Sequence, residues 1–131
     1  MTESEMTRKL CRALEGLGAV TYVAVGGRMS RPGWPDRWIG HRDWQGWVEF
    51  KAAGAKPRAN QLACRRDIER ALGQGSAAIA WHPGDGVIGR VETGACWCEW
   101  DGTARDLLRA MRELKAFVVD SGASLKQGGH N

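Results

Sequence analysis

A chain of 131 residues with 43% hydrophobic and 26% charged side chains has room for one packed domain, and its composition excludes wholesale disorder. No apolar run approaches the ~20 residues that span a bilayer, and the polar, acidic start MTESEMTRKL does not read as a secretory leader, so a cytoplasmic location is expected. The net charge of +4 permits a polyanionic partner without establishing one, although Lys51, Lys56, Arg58, Arg65, Arg66 and Arg70 gather positive charge in mid-chain against only Asp67 and Glu69.

Met6, Leu10, Ala13 and Leu14 recur at helical spacing, with Leu17 next in the series. They predict an amphipathic helix over 3–16, stopped by Gly16 and Gly18. AVTYVAV (19–25) is β-branched and alternating, a strand. GGRMSRPGWP (26–35) is too rich in Gly and Pro for anything but loop and turns. DRWIGH (36–41) and GWVEFKA (46–52) read as two short strands joined by RDWQ. GAKP (54–57) is a second loop, with Pro57 set to open a helix over 59–75 that carries Leu62, Ile68 and Leu72 on one side and ends at Gly73 and Gly75. SAAIAWH (76–82) is a buried strand and PGDG (83–86) a tight turn.

Val87 to Trp100 is the weakest pattern, and a hairpin turning near Thr93–Gly94 is the expectation. Residues 103–120 form a helix that Thr103 can cap and that Leu107, Leu108, Met111, Leu114 and Val118 line. The Gly-rich, polar residues 121–131 are expected to be a disordered tail beyond a single domain over 1–120. The order α-β-β-β-α-β-(β-β)-α describes a mixed α/β sandwich with helices on a central sheet.

Cys11, Cys64, Cys96 and Cys98 form no CxxC pair, and His41, His82 and His130 are scattered, so no spacing supports structural zinc. Buried free thiols are expected, with Cys96 and Cys98 on one face of a strand. His41 and His82 have no partner in the sequence and read as structural.

The chemistry lies in 32–61. With a period of two, Trp47, Glu49 and Lys51 share one face of their strand, while Val48, Phe50 and Ala52 point into the core. Asp36 starts the preceding strand. If the two strands pair as a hairpin, its carboxylate and that of Glu49 converge at one end, and a hard cation relieves their repulsion. A lysine one step on can hold a metal-bound water aimed at phosphorus.

Pro35-Asp36, twelve intervening residues and then Glu49-Phe50-Lys51 resemble the PD-(D/E)XK nuclease signature. GWPDRW, WVEFKA and GAKPRANQ leading into a helix resemble, within it, the VRR-NUC (virus-type replication-repair nuclease) family, over Glu3 to Ala80. The resemblance implies a restriction-endonuclease-like core, a central mixed β-sheet flanked by α-helices, with the hairpin and helix after Val87 as C-terminal additions. It implies Asp36, Glu49 and the Phe50 carbonyl as ligands of Mg²⁺ (or Mn²⁺), Lys51 as the catalytic lysine and Gln61 as the glutamine beside the site. The first helix of the family contributes a glutamate. Glu3 keeps the family's spacing to Met6 and Leu10, which Glu5 does not.

The implied activity is metal-dependent hydrolysis of DNA phosphodiester bonds, selective for branched, flapped or four-way-junction DNA, in phage or bacterial replication and repair. A homodimer would present two sites to a junction. Lys56, Arg58, Arg28 and Arg31 are candidate phosphate contacts. Of the seven tryptophans, Trp34 in the loop is the candidate DNA contact, whereas Trp38 and Trp47 suit packing. A DNA-binding module with a nuclease-like fold and no turnover is the competing reading, and the intact Asp36, Glu49 and Lys51 argue against it.

Overall fold

A capping box starts the first helix. Thr2 Oγ1 accepts from the Glu5 amide and the Glu5 carboxylate accepts from the Thr2 amide, so α1 runs Glu3–Gly16 in the computed structural model. The structure describes residues 1–24 and 31–121, with side chains through 116. Arg28, the side chain of Val118 and the tail beyond 121 lie outside the described residues.

The remaining elements follow the expected order: β1 (Val20–Val23), β2 (Arg37–Gly40), β3 (Gln45–Lys51), α2 (Ala59–Leu72), β4 (Ala77–Trp81), β5 (Gly89–Glu92), β6 (Trp97–Trp100) and α3 (Ala104–Ser121). They build one six-stranded sheet whose spatial order is the chain order. All neighbours pair antiparallel except β3 and β4, which are parallel and need α2 as the crossover. Thr103 caps α3 through its Oγ1, which accepts from the Asp106 amide. The β5–β6 hairpin turns through residues 93–96, where the Thr93 amide donates to the Cys96 carbonyl.

The alternation read from β3 sorts the two faces. Val48 and Phe50 are fully buried and share one cluster with Leu10 and Leu14 of α1, Ile39 of β2, Ala78 and Ala80 of β4, and Leu107 and Met111 of α3. Val91, Cys98 and Trp100 of the C-terminal hairpin lie in the same cluster. The hairpin and α3 are therefore part of the main core rather than an attachment to it. His82 is buried in that layer, stacked on Phe50 and touching Trp100 and Thr7.

On the opposite face α2 rests on β4. Here one expectation is corrected. Ile68 is buried, but Leu62 and Leu72 are 38% and 67% exposed, and the inward stripe is Gln61, Cys64, Ile68 and Glu69. The two polar members turn inward to accept from main-chain amides. Glu69 accepts from Gly75 at 3.0 Å and Gly94 at 2.9 Å, and Gln61 Oε1 accepts from the Arg58 amide at 2.8 Å. Pro57 precedes the N-cap, which is Arg58, instead of opening the helix.

Candidate active site

The β2–β3 hairpin decides the geometry. Arg37 pairs with Val48 and Trp38 with Trp47. Continuing that register by one residue sets Asp36 opposite Glu49, on the face away from the main core. Lys51 follows Glu49 on the same face, beside Trp81 of β4.

Asp36 is held from two sides. Its carbonyl accepts from the Ala24 amide at the edge of β1, and its Oδ1 accepts from the Phe50 amide at 3.3 Å. The loop that delivers it is fastened to α2: Arg31 pairs with Asp67 at 2.7 Å, the Cys64 thiol donates to the Pro32 carbonyl, and Gly33 lies against the main chain of Asn60. Gly33 has φ +87°, and a Cβ there would come within 2.4 Å of the Asn60 carbonyl oxygen, so the close approach needs glycine.

Three acids feel one another's charge here. Burial pushes Asp36 up to about 6, and the charge of Glu3 adds to the rise, while the Phe50 amide and Arg37 oppose it. Burial pushes Glu49 up to about 7, with Asp36 and Glu3 adding to it and Lys51 opposing. Glu3 is braced at the start of α1 by the buried Thr7, whose hydroxyl reaches its carboxylate at 3.5 Å and His82 Nε2 at 3.0 Å. Glu5 points elsewhere, into the capping box. Arg37, which the sequence reading passed over, belongs to the electrostatics of the site; strand alternation puts it on the face opposite Asp36, so periodicity gave no signal for it.

The other candidates take distinct places. Lys56 and Arg58 are exposed in the connection leaving Lys51, and Gln61 is buried under that connection through its bond to Arg58. The Arg31 guanidinium is engaged by Asp67. Trp34 meets Trp47 edge-on at 5.3 Å. His41 accepts from the Asp43 amide at Nδ1 and meets the Leu17 carbonyl at Nε2, a structural post in the β2–β3 turn.

Among the described residues no group of three or more His, Cys, Asp and Glu side chains is set to hold a metal ion. Two facing carboxylates do suit Mg²⁺, which keeps most of its waters and takes only one or two carboxylates from a protein. The charge of Asp36 on Glu49, and that of Glu3 on both, is what a divalent cation would offset.

No protein-family model matches the chain, and no curated protein sequence does. Among solved structures it is similar to Hjc, a Holliday junction resolvase of Archaeoglobus fulgidus, with a TM-score of 0.51 and 18% identity, over 69% of this chain and 75% of that one. The mixed six-stranded sheet with its flanking helices is thus a resolvase-like, restriction-endonuclease-like fold.

Proposed function

We propose that this protein is a structure-selective DNA nuclease of the PD-(D/E)XK type, allied to the VRR-NUC enzymes, that hydrolyses phosphodiester bonds with a divalent cation. One observation carries the reading: Asp36, held by the Phe50 amide one register step beyond the Arg37–Val48 pair, raises the half-buried Glu49 by its charge, with Lys51 next on the face of Glu49. The fold shared with a junction resolvase supports it.

Asp36, Glu49 and the main-chain carbonyl of Phe50 would hold Mg²⁺ or Mn²⁺. Bound there, the ion supplies Lewis-acid polarisation of the phosphoryl oxygens and a more acidic water. The residues themselves do the positioning. The Lys51 ammonium, on the same face as Glu49, orients the attacking water and offsets the charge that develops on phosphorus oxygens. Glu3 adds a third negative charge to the pocket, so a cationic occupant is favoured over a neutral one. Lys56 and Arg58 bind backbone phosphate without reading sequence, which leaves the geometry of the branch to set selectivity. A homodimer would offer two such sites to the arms of a four-way junction. Phage or bacterial replication and repair is the setting that fits this substrate.

The test is an Mg²⁺ and Mn²⁺ titration of cleavage on labelled duplex, flap and four-way-junction DNA, with Lys51→Ala and Asp36→Asn alongside the wild type. Metal-dependent cutting that both variants lose supports the site. DNA binding without cutting, indifferent to EDTA, removes the catalytic reading.

A further inference from the structure

The carboxylates do not stand alone on their face of the sheet. One step back along the strands, the register aligns Tyr22 of β1 with Trp38 of β2, and Trp38 with Trp47 of β3. Three aromatic side chains therefore cross the sheet in a single row. The row runs parallel to the Asp36–Glu49 row and about 7 Å from it, two residues of strand rise.

The helices leave much of this row open. α1 contributes Leu10 and Leu14 to the cluster with Ile39, Val48 and Phe50 on the other side of the sheet, and α2 rests on β4. Tyr22 is 61% exposed and Trp38 is partly exposed. The outer edge of the Trp38 ring lies over Gly40 of its own strand, where no side chain displaces it. A Cβ at Gly40 would come within 2.5 Å of the ring's Cη2 atom. Trp47 meets Trp34 in an edge contact, and Trp34 is itself 37% exposed.

We infer that Tyr22 and Trp38 form a stacking platform for unpaired bases, so the substrate is DNA in which single-stranded nucleotides adjoin the cleaved phosphate. This rests on the nuclease reading and narrows it, since a perfectly paired duplex offers no exposed base face to such a surface. Three features point to DNA as the occupant. The platform continues directly into the carboxylate row, Lys51 follows Glu49 on the same strand face with Lys56 and Arg58 exposed in the connection after it, and the ~7 Å offset is about two stacked nucleotide steps along one strand. Base stacking on aromatic rings tolerates any sequence, as a structure-selective enzyme requires.

The experiment is equilibrium binding by fluorescence anisotropy, in EDTA so that no cleavage intervenes. Fully paired duplex is compared with the same duplex bearing a single-stranded flap, for wild type, Trp38→Leu, Tyr22→Ala and Trp38→Phe. The expected result is preferential binding of flapped DNA, weakened about tenfold by Trp38→Leu and by Tyr22→Ala and largely retained by Trp38→Phe, with duplex binding unchanged. Tyr22→Ala lies on the open edge strand, so it reports even if Trp38→Leu fails to fold. Flapped and plain duplex bound alike, or a preference untouched by Tyr22→Ala and Trp38→Leu, overturns the platform. So does sedimentation showing self-association that Tyr22→Ala abolishes while DNA binding persists. Because cleavage is measured separately, a flap preference lost in these variants keeps the platform even if the protein never cuts, and metal-dependent cutting without a flap preference keeps the nuclease reading alone.

Discussion

The Phe50 amide donates to Oδ1 of Asp36 across 3.3 Å, and that bond aims a carboxylate from the residue before β2 at the stretch of β3 that carries Glu49 and Lys51. It survives the change of Asp36 to asparagine, whose side-chain oxygen accepts equally well, while the negative charge does not. Asp36→Asn is thus expected to cut cleavage by on the order of 10²-fold or more. In EDTA its melting temperature should equal or exceed that of the wild type, because one of two repelling half-buried carboxylates is gone. A paired activity assay and thermal melt check both halves. A large drop in melting temperature would mean that the charge at Asp36 holds the fold and not the metal.

Gly33 offers a way to disturb the site from outside it. The loop before Asp36 approaches the main chain of Asn60 so closely, and at such a φ, that any side chain forces it away from α2. Gly33→Ala is expected to cost about 1–3 kcal/mol of stability by overpacking and to lower the cleavage rate by a larger factor than it shifts substrate binding. Denaturant melts and single-turnover kinetics separate the two. Equal binding and rate in a destabilised protein would show that the loop does not position Asp36.

Glu69 ties α2 to two loops, through the amides of Gly75 and Gly94. Burial raises its pKa above 4.5 despite those donors and Arg65. The folded state thus binds the proton more tightly than the unfolded chain. The stability this contributes is fully present below about pH 4.5 and is lost as pH rises through the raised folded value. Glu69→Gln does not titrate and leaves one amide facing a second amide, so it should destabilise by about 1–3 kcal/mol. The gap between wild type and variant should widen as pH falls toward 4.5. A gap that narrows on acidification would contradict the buried, raised carboxylate.

All four cysteines are free and buried, and burial raises the thiols of Cys11, Cys96 and Cys98. Native protein at pH 7.5 is expected to resist a thiol-disulfide reagent for many minutes, with all four thiols reacting at once in denaturant. Rapid labelling of a thiol in the native state would show that its element opens locally.

Much of this protein is legible in its sequence because strand and helix periods are local. The alternation in GWVEFKA placed Val48 and Phe50 inward and Glu49 and Lys51 on the other face, and the structure agrees. The order of elements, the hairpin at Val87–Trp100 and the Thr103 cap were readable in the same way. Where local pattern misled, a tertiary demand had intervened. Leu62 and Leu72 look like a helix core, but α2 turns Gln61 and Glu69 inward, where Gln61 accepts from its own N-cap amide and Glu69 from Gly75 and from Gly94, twenty-five residues on.

The sequence by itself determined which residues share a face, since side-chain direction along a strand repeats every two residues whatever the neighbours do. It could not determine what lies beside them. That Asp36 stands against Glu49, that Arg31 and Asp67 lock the loop across 36 positions, and that Tyr22, Trp38 and Trp47 fall into one row depend on strand register and helix docking. Those are set by the burial of the whole core, a sum over contacts distant in the chain, and only the folded molecule carries it.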